Sequence, residues 1–483
     1  MTIGDHIYTF ILCLNIFLAI TIIFMERRKV SSTWAWIMVL FFLPILGFIL
    51  YLVLGQKIKR RKLHKLVGVN SNVIDNMLAK QYHQLQSGAL LSNSEEAKPF
   101  SDLILMNLKT NYSLFTNQNN LNIFTDGYTK FEHLIQDIKK AKHHIHLEYY
   151  IFRNDSTGKR LMHALTEKAK EGVEVRFIYD HIGSVSLTKK FFKQFTLAGG
   201  MVEAFFASHI PYLNLKINYR NHRKIVVIDG NIGYLGGINI GDEYLGLNKH
   251  FGYWRDTHLR IEGPAVSQMQ AQFMIDWNML CERKLALSES YFPNIVNENN
   301  ESIGLQIVAS GPDSDYQDIK NSYIKMIYGA KRSVYLQTPY FVPDSSLLNA
   351  LQTAALSGKD VRIMLPYKRD HFFVYWATQS YIADLLDYGI SVYLYTDGFL
   401  HAKTLVVDNE ISSVGSANLD IRSFKLNFEM NAFIYSEKVA QELTQIFEKD
   451  MEKCELLTVE AYNNRPLFNR FKESISRLLS PIL

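Results

Sequence analysis

One motif occurs twice in this chain, with the same internal spacing both times. The first copy begins at His222 and the second at His401, and both follow the pattern His-x-Lys-x4-Asp-x6-Gly-[Gly/Ser]-x-Asn. Two matches of this length in register indicate a duplication inside the chain. The feature limits the fold to one built from two related halves.

The surroundings of the two motifs repeat as well. Apolar runs at 145–152 and 334–341 predict strands, helical stretches follow at 160–170 and 346–356, and short strands follow at 173–178 and 361–364. Strands that alternate with helices are typical of α/β units. We therefore expect an α/β fold in which two duplicated halves, 121–290 and 291–460, pack as a pseudo-dimer with one shared active site.

The spacing within each motif predicts a pocket. Side chains two apart on a strand point to the same face, so each His lies beside its Lys. The Asp that follows each strand predicts a tight turn, and we expect Asp229 and Asp408 to hold the hairpin and its neighbours. The side chains predicted to share the pocket are His222, Lys224, Asn239, His401, Lys403 and Asn418. Two imidazoles for attack and proton transfer, with cationic donors, suit a phosphodiester.

Two uncharged apolar runs open the chain. They predict transmembrane helices at about 7–25 and 34–54, which together form a hairpin over residues 1–56. Trp34, Trp36 and Tyr51 lie near the ends of the second run, where interfacial aromatic residues are common. A cell-membrane protein with two helices follows from this interpretation.

The positive charge of the chain is confined to its start. The net charge is +5, and residues 1–65 carry nine basic and two acidic side chains, so the remainder is slightly acidic. A nucleic-acid-binding body would be basic, so nucleic acid is not an expected partner. Six basic residues at 57–65 predict contact with anionic lipids and a cytoplasmic catalytic part. Residues 57–120 are interpreted as this basic juxtamembrane segment and a polar linker.

The C-terminal tail, 461–483, has apolar residues at helical spacing with basic residues between them. This pattern predicts an amphipathic helix. It fits equally a helix that lies on a membrane and one that packs against the catalytic body.

The duplicated motif resembles the phospholipase D superfamily, and more closely its bacterial cardiolipin synthases. The resemblance spans nearly the whole chain. It rests on both His-Lys-Asp motifs and on their flanks, which include 43–47, 51–55, 220–224, 415–423 and 477–483. The main departure is Gly237, where many members have Ser.

The resemblance implies a membrane-bound phosphatidyltransferase without a metal or other cofactor. Two phosphatidylglycerol molecules would give cardiolipin and glycerol through a phosphatidyl-histidine. By analogy His222 is the nucleophile and His401 the acid and base. The family also places an orienting carboxylate at about the positions of Asp256 and Glu429, so the resemblance implies that role for both.

Three other interpretations stay open. The same pocket could hydrolyse phospholipid as a phospholipase D-type phosphodiesterase, or serve a related synthase with another donor or acceptor. A non-catalytic membrane scaffold is the third, although both motifs are intact. The sequence also leaves open whether the chain forms a homo-oligomer.

Overall fold

The computed structural model describes residues 3–24, 30–54, 71–207, 218–282, 284–293, 302–314 and 316–480. The chain forms two compact units, 1–59 with 206–219, and 60–205 with 220–483. The basic stretch 57–65 and the last residues of the tail, 481–483, lie outside the described residues.

The described residues of the smaller unit form the helices α1 (Ile3–Phe24), α2 (Val30–Phe42) and α3 (Pro44–Leu54). Within α1, the 18 residues His6–Ile23 have a mean hydropathy of 2.2 and are long and apolar enough to cross a membrane. The first predicted helix is therefore present with nearly the predicted bounds.

The second apolar run differs from its prediction as one helix over 34–54. It bends at Leu43, and the rings of Trp36 and Tyr51 meet at 5.3 Å, edge to face. Fifteen residues of straight helix would hold them about 22 Å apart. Pro44 explains the break, because proline disfavours helical backbone in the residue before it and has no N–H to donate. Each arm, about 20 Å or less, is too short to span a bilayer.

The larger unit holds the duplicated halves, as predicted. The helices of the first half and its leader are α4 (Ser71–Gln86), α5 (Ser101–Asn111), α6 (Gly127–Lys140), α7 (Ser156–Lys170), α8 (Lys189–Leu197) and α9 (Val266–Leu280). Those of the second half and tail are α10 (Asp318–Gly329), α11 (Ser345–Leu356), α12 (Phe372–Tyr381), α13 (Ala383–Leu386), α14 (Ile421–Lys425), α15 (Glu437–Met451), α16 (Val459–Asn463) and α17 (Leu467–Leu478).

The strands repeat in the same order in both halves. The first half has β1 (Thr116–Asp126), β2 (His144–Tyr149), β3 (Glu174–Asp180), β4 (Met201–Phe205), β5 (Arg220–Asn221), β6 (Lys224–Ile228), β7 (Ile232–Gly236) and β8 (Trp254–Glu262). The second has β9 (Ile303–Ser310), β10 (Ser333–Gln337), β11 (Phe341–Val342), β12 (Asp360–Pro366), β13 (Ser391–Tyr395), β14 (Phe399–Leu400), β15 (Thr404–Val407), β16 (Ile411–Gly415), β17 (Leu419–Asp420), β18 (Asn427–Tyr435) and β19 (Cys454–Leu456).

Each half is one mixed sheet. The first runs β4-β3-β2-β6-β7-β8-β1, with the three leading strands parallel and the rest antiparallel. The second runs β13-β12-β10-β15-β16-β18-β9 in the same pattern. Because β1 also pairs with β9, the two sheets are continuous. The duplicated α/β fold predicted from the motif is confirmed.

The polar segment interpreted as a linker is partly folded. It contains α4 and α5, and Leu103 and Ile104 of α5 are buried in the hydrophobic core of the second half. A few apolar side chains in a segment rich in Asn, Ser and Gln suffice to dock it. The polar composition of the segment does not reveal these apolar side chains.

Candidate active site

Two short strands carry the motif histidines across to the opposite half. β5, which precedes His222, pairs with the start of β18 in the second half. β14, which precedes His401, pairs with the start of β8 in the first half. The backbone N–H of His222 donates to Phe428 O at 2.9 Å, and that of His401 donates to Arg255 O at 2.7 Å. The two strand pairings are therefore related by the internal pseudo-symmetry of the chain.

Each histidine consequently meets a carboxylate from the other half. His222 Nδ1 lies 2.9 Å from Glu429 Oε2, and His401 Nδ1 lies 2.6 Å from Asp256 Oδ2. Both acids had been expected near the site, and the structure brings them there. All four side chains are buried, the two carboxylates completely.

These contacts select one tautomer of each imidazole. An ionised carboxylate can only accept, so Nδ1 carries the proton and donates it to the acid. Nε2 is then left with a lone pair, as attack on phosphorus or removal of a proton requires. Both rings thus meet a carboxylate at Nδ1, and at His401 the ammonium of Lys403 also lies 2.9 Å from that nitrogen.

Burial keeps both imidazoles neutral. It is the largest influence on each, and it lowers the pKa of His222 and of His401 to about 4. The charge of Lys403 adds to the lowering at His401, whereas Glu429 opposes it at His222. A neutral imidazole is the nucleophilic form, so the site holds two candidate nucleophiles at neutral pH.

The two motif lysines are fully buried beside their histidines. The ammonium groups of Lys224 and Lys403 donate to the main-chain carbonyls of His222 and His401. Burial lowers the pKa of Lys224 to about 7 and that of Lys403 to about 8. The charge of Lys403 also lowers the pKa of Lys224, so both ammonium groups serve one shared pocket.

The orienting acids are ionised in spite of their burial. Burial alone would raise the pKa of Asp256, but the charge of Lys403 and the hydrogen bond from His401 outweigh it and hold the pKa below its ordinary value. The pKa of Glu429 is lowered in the same way, against burial, by His222 and Lys224. In each of the two sets of acid, imidazole and ammonium, the charge of the carboxylate is therefore balanced by that of the ammonium group.

The motif aspartates lie at the far end of their strands. Asp229 accepts hydrogen bonds from the backbone N–H groups of Lys142, His143 and His144, at 2.8 to 3.0 Å. Seven residues of strand separate it from His222, roughly 23 Å of backbone. Its carboxylate thus fixes the start of β2 at a distance from the imidazoles.

Asp408 repeats this arrangement in the second half. It accepts from the backbone N–H groups of Lys331, Arg332 and Ser333, at 2.6 to 2.8 Å. Its φ of 57° and that of Asp229, 52°, place both in the left-handed region of a tight turn. The geometry fits the holding role expected of both residues, although they belong to the motif that carries the chemistry.

The two motif asparagines differ. Asn239 Oδ1 accepts from the backbone N–H of Ile151 at 3.2 Å, so this carbonyl has a structural partner. Asn418 Oδ1 is buried without a hydrogen-bond partner, and its backbone N–H donates to Ser423 Oγ. Only the second-half asparagine therefore presents a free buried acceptor, which is costly unless something binds to it.

Gly237 has a steric explanation. A Cβ at this position would lie 2.1 Å from Asp256 Oδ1. In the second half Ser416 occupies the matching place, and its hydroxyl donates to Glu429 Oε2 at 2.5 Å. Asp256 receives the backbone N–H of Thr257 instead, at 2.7 Å. The shorter acid approaches the backbone so closely that no side chain fits.

Two aromatic contacts of the histidines were missed from the sequence. The ring of Tyr150 lies 4.8 Å from that of His222, and Lys224 Nζ lies 5.4 Å above the same tyrosine. The ring of Trp254 lies 5.2 Å from that of His401. Tyr150 directly follows β2, and the carboxyl ends of parallel strands are the usual place for a site, so its position was a usable signal.

A buried ion pair behind the first motif was missed as well. Arg223 bonds to Asp276 of α9 at 2.5 Å, and the amide of Asn221 donates to Glu148 beside them. Burial, with the nearby charge of Asp276, raises the pKa of Glu148 well above its ordinary value. No spacing in the sequence connects Arg223 to Asp276.

The cluster His143, His144 and His146 is explained by packing. His146 stacks on Phe273 at 4.5 Å and shares a hydrogen bond with Gln270. In the part of the chain that the structure describes, no group of three or more His, Cys, Asp or Glu side chains is arranged to hold a metal ion.

Comparison with known proteins agrees with the geometry. The family model described as "Cardiolipin synthase, PLD-like domain" matches residues 134–277 and 323–451, which together exceed half of the chain. This chain belongs to the cardiolipin synthases of the phospholipase D superfamily. A second model, "Phospholipase_D-nuclease N-terminal", matches residues 13–56.

Curated cardiolipin synthases resemble the chain over its full length. It is 52% identical over 484 residues to "Major cardiolipin synthase ClsA" of Bacillus subtilis (strain 168), with 100% of both chains covered. It is 51% identical over 471 residues to "Cardiolipin synthase 2" of Staphylococcus epidermidis, covering 97% of this chain and 96% of the relative.

A solved structure shares the fold of this cardiolipin synthase family member. The phosphatidylserine synthase of Haemophilus influenzae Rd KW20 superposes with a TM-score of 0.59 and 14% identity, over 80% of this chain and 100% of the other. The chain therefore has an α/β enzyme fold with a repeated phospholipase D-like domain. Its apolar N-terminal helix indicates association with a membrane.

Proposed function

We propose that this chain transfers a phosphatidyl group between two phosphatidylglycerol molecules and releases glycerol and cardiolipin. The observation that carries the proposal is the pair of buried imidazoles, each held by a carboxylate from the opposite half. One site with two equivalent bases suits a reaction in which two alcohols take turns at one phosphorus. The named activity of the full-length relatives supports the same reaction.

In the first step His222 Nε2 attacks the phosphorus of one phosphatidylglycerol. The P–N bond forms as the bond from phosphorus to the headgroup glycerol oxygen breaks, and His401 gives that oxygen its proton. Burial favours the neutral form of His401, but the anionic phosphodiester favours its protonated form. Lys224 and Lys403 neutralise the charge that gathers on the phosphoryl oxygens.

In the second step His401, now neutral, takes the proton from a glycerol hydroxyl of a second phosphatidylglycerol. The freed oxygen attacks phosphorus, the P–N bond breaks, and cardiolipin leaves with His222 restored. The free carbonyl of Asn418 is available to accept a hydrogen bond from a substrate hydroxyl. Asp256 and Glu429 keep both rings in the required tautomer throughout.

The acceptor distinguishes a synthase from a lipase. Purified full-length protein would be given phosphatidylglycerol alone, in the presence of a chelator, and the lipids followed by mass spectrometry. Cardiolipin with equimolar glycerol supports the proposal. Phosphatidic acid without cardiolipin would show that water resolves the intermediate. His222→Ala should abolish turnover, whereas His163→Ala, at an exposed position on α7, should leave it intact.

The assignment of the nucleophile needs a substrate that requires no general acid. Phosphatidyl-p-nitrophenol has a leaving group that departs without a proton. In His401→Asn it should give a burst of one nitrophenol per enzyme and a trapped phosphatidyl group on His222. A burst in His222→Asn in place of His401→Asn would reverse the two roles.

The smaller unit supports a specific membrane topology. The amide of Asn15, in the middle of α1, donates to the carbonyls of Leu40 and Pro44 at 3.3 and 2.8 Å. The bend between α2 and α3 therefore lies level with the middle of the spanning helix, and the buried amide satisfies Leu40 O, which has no helical donor because Pro44 lacks an N–H. A re-entrant pair of half-helices, which returns the chain to the side from which it came, fits these contacts.

This topology places both basic segments on one side. Three basic residues lie within 26–33 and six within 57–65. Two complete spans would put the two basic clusters on opposite sides of the membrane. One span followed by a re-entrant pair keeps both clusters on the cytoplasmic side, as the distribution of Lys and Arg favours. The catalytic unit would then face the cytoplasm, where anionic lipids are its partners.

A further inference from the structure

The C-terminal helix α17 has its apolar face outward. Its buried side chains are polar: Glu473 is 3% exposed and Ser476 is 1% exposed. Arg465 holds Glu473 through a fork of bonds at 2.7 to 3.0 Å. By contrast Phe471 is 60% exposed and Leu478 is 81% exposed. A helix of a soluble surface would show the reverse distribution.

The outward residues form one stripe. At about 100° per residue, they fall within roughly a quarter to a third of the helix circumference. They are Leu467, Phe468, Phe471, Ile475 and Leu478, all exposed. Arg470 borders this stripe on one side and Lys472 on the other, by the same helical arithmetic. An apolar stripe between cationic margins is the pattern of helices that lie in a membrane interface.

Helix α12 extends the stripe. Lys472 Nζ lies 4.3 Å from the ring centroid of Phe468 and 4.7 Å from that of Trp376. Trp376 in turn contacts Phe372 at 6.3 Å, and Phe372 contacts Phe373. Both phenylalanines are 47% exposed. The apolar surface of α17 therefore continues to the first turn of α12, and we call the whole surface the α12–α17 face.

This face ends close to the active site. The guanidinium of Arg369 lies 5.9 Å over the ring of Phe372. The next residue, Asp370, accepts a hydrogen bond from the hydroxyl of Tyr340, and its charge influences the pKa of Lys403. The exposed aromatic rings therefore lie within three residues, along the chain, of Asp370, whose charge influences the pKa of Lys403.

We propose that the α12–α17 face docks on a bilayer that contains anionic phospholipid, so that the headgroup enters the site directly from the interface. The apolar stripe would enter the headgroup boundary, and Arg369, Arg470 and Lys472 would meet lipid phosphates. Such a contact favours a lipid surface over a protein partner, because both margins of the stripe carry cations. The inference rests on the proposed function only for its activity readout.

The test compares two forms of one substrate. Full-length protein would act on phosphatidylglycerol in vesicles and on a short-chain phosphatidylglycerol that is monomeric in solution. Phe471→Asp and Leu478→Asp should lose at least about tenfold in kcat/KM on vesicles and keep their activity on the monomer. Leu197→Asp and Leu356→Asp, at leucines 73% and 70% exposed elsewhere, are the matched controls.

The outcomes separate the inference from the function. Equal activity of the variants and controls on vesicles would overturn docking, as would an equal loss on both substrates. If the unsubstituted protein turned over neither form, the proposed function would fail instead. A change of oligomeric state in Phe471→Asp, without the selective loss on vesicles, would assign the face to a second copy and reject the bilayer.

A second measurement does not depend on turnover. A fluorophore attached at a cysteine placed at Leu478, with Cys13, Cys281 and Cys454 replaced by Ser, should be quenched by lipids that carry a shallow nitroxide. The same label at Leu356 should not be quenched. Arg470→Glu with Lys472→Glu should weaken the quenching at Leu478 most in vesicles rich in phosphatidylglycerol. Equal quenching at both positions would contradict docking.

Discussion

The imidazole of His222 and the carboxylate of Glu429 belong to different halves of the chain and lie 2.9 Å apart. His401 and Asp256 make the reciprocal contact at 2.6 Å. Neither half therefore contains a complete acid–imidazole pair of its own. The duplication is functional because each half completes the other, through the strand pairs β5–β18 and β14–β8.

Removing the charge of an orienting acid should cripple turnover and spare substrate binding. An amide in Glu429→Gln can donate to Nδ1 and so favour the wrong tautomer of His222. By analogy with other carboxylate–histidine pairs, we expect kcat to fall by about 10² to 10⁴ with little change in KM. Cardiolipin formation followed by mass spectrometry measures both. Glu437→Gln, an exposed acid at the start of α15, is the control, and a rise in KM alone would contradict the assignment.

Gly237→Ser should lose most of its activity although many family members have serine there. The added Cβ would lie 2.1 Å from Asp256 Oδ1 and must push the acid away from His401. A displacement of about 1 Å at a catalytic group costs on the order of 100-fold in rate. Gly329→Ala is the matched control, because its Cβ would meet nothing within 4 Å. Full activity of Gly237→Ser would show that the acid has room to move.

The lysines predict how kcat/KM depends on pH. The pKa of Lys224 is about 7 and that of Lys403 about 8, so both ammonium groups lose their protons as the pH rises through these values. Without them the phosphoryl oxygens are not neutralised, and kcat/KM should fall on the alkaline side. A bound anionic phosphodiester raises both pKa values, so the fall in kcat should begin at higher pH. Coincident profiles for kcat and kcat/KM would argue against charged lysines at the phosphate.

Glu148 should be replaceable by glutamine. Burial and the charge of Asp276 raise its pKa well above the ordinary range, which favours the protonated form. The matching position of the second half is Gln337, which bonds to Asp450 at 2.8 Å. Glu148→Gln should keep activity and melting temperature, whereas Glu148→Ala should lose about 1 to 3 kcal/mol, because Asn221 loses its acceptor.

The pH dependence of stability gives the same prediction a sign. An acid with a raised folded pKa stabilises the fold fully below its unfolded pKa, and this stability is lost as the pH rises through the folded pKa. Glu148→Gln removes that loss, so the melting temperature of the variant should rise relative to that of the parent protein as the pH increases. Thermal melts across a pH series test this, and parallel curves for the two proteins would show that Glu148 is ionised.

Much of the site could be read from the sequence because it recurs. The spacing from His to Asn in each copy specified both imidazoles, both lysines and the turns at Asp229 and Asp408. The pairing of each His with the acid of the opposite half depends on backbone pairing of the two-residue strands β5 and β14 with β18 and β8, and no local pattern reports this pairing. The close approach of Gly237 to Asp256 is hidden for the same reason.

The apolar patterns at the two ends of the chain predicted the structure with different success. Residues 34–54 have the composition of a spanning helix, yet Pro44 and the contact of Trp36 with Tyr51 fold them back. The stripe of α17 was correctly periodic, but periodicity does not say which face is buried. There the pairing of Arg465 with the buried Glu473 decided it, and this pair spans eight residues across a turn.

Cysteine accessibility tests the re-entrant topology. In intact spheroplasts, an impermeant thiol reagent outside the cell should fail to label cysteines placed at Arg28 and at Lys59, in a protein whose native cysteines are replaced by serine. Both should react once the membrane is opened, because both basic segments would be cytoplasmic. With two complete spans one of them would be external, and labelling of either in intact spheroplasts would reject the re-entrant pair. Asn15→Leu should destabilise the bend, since Leu40 and Pro44 lose a donor in the apolar environment.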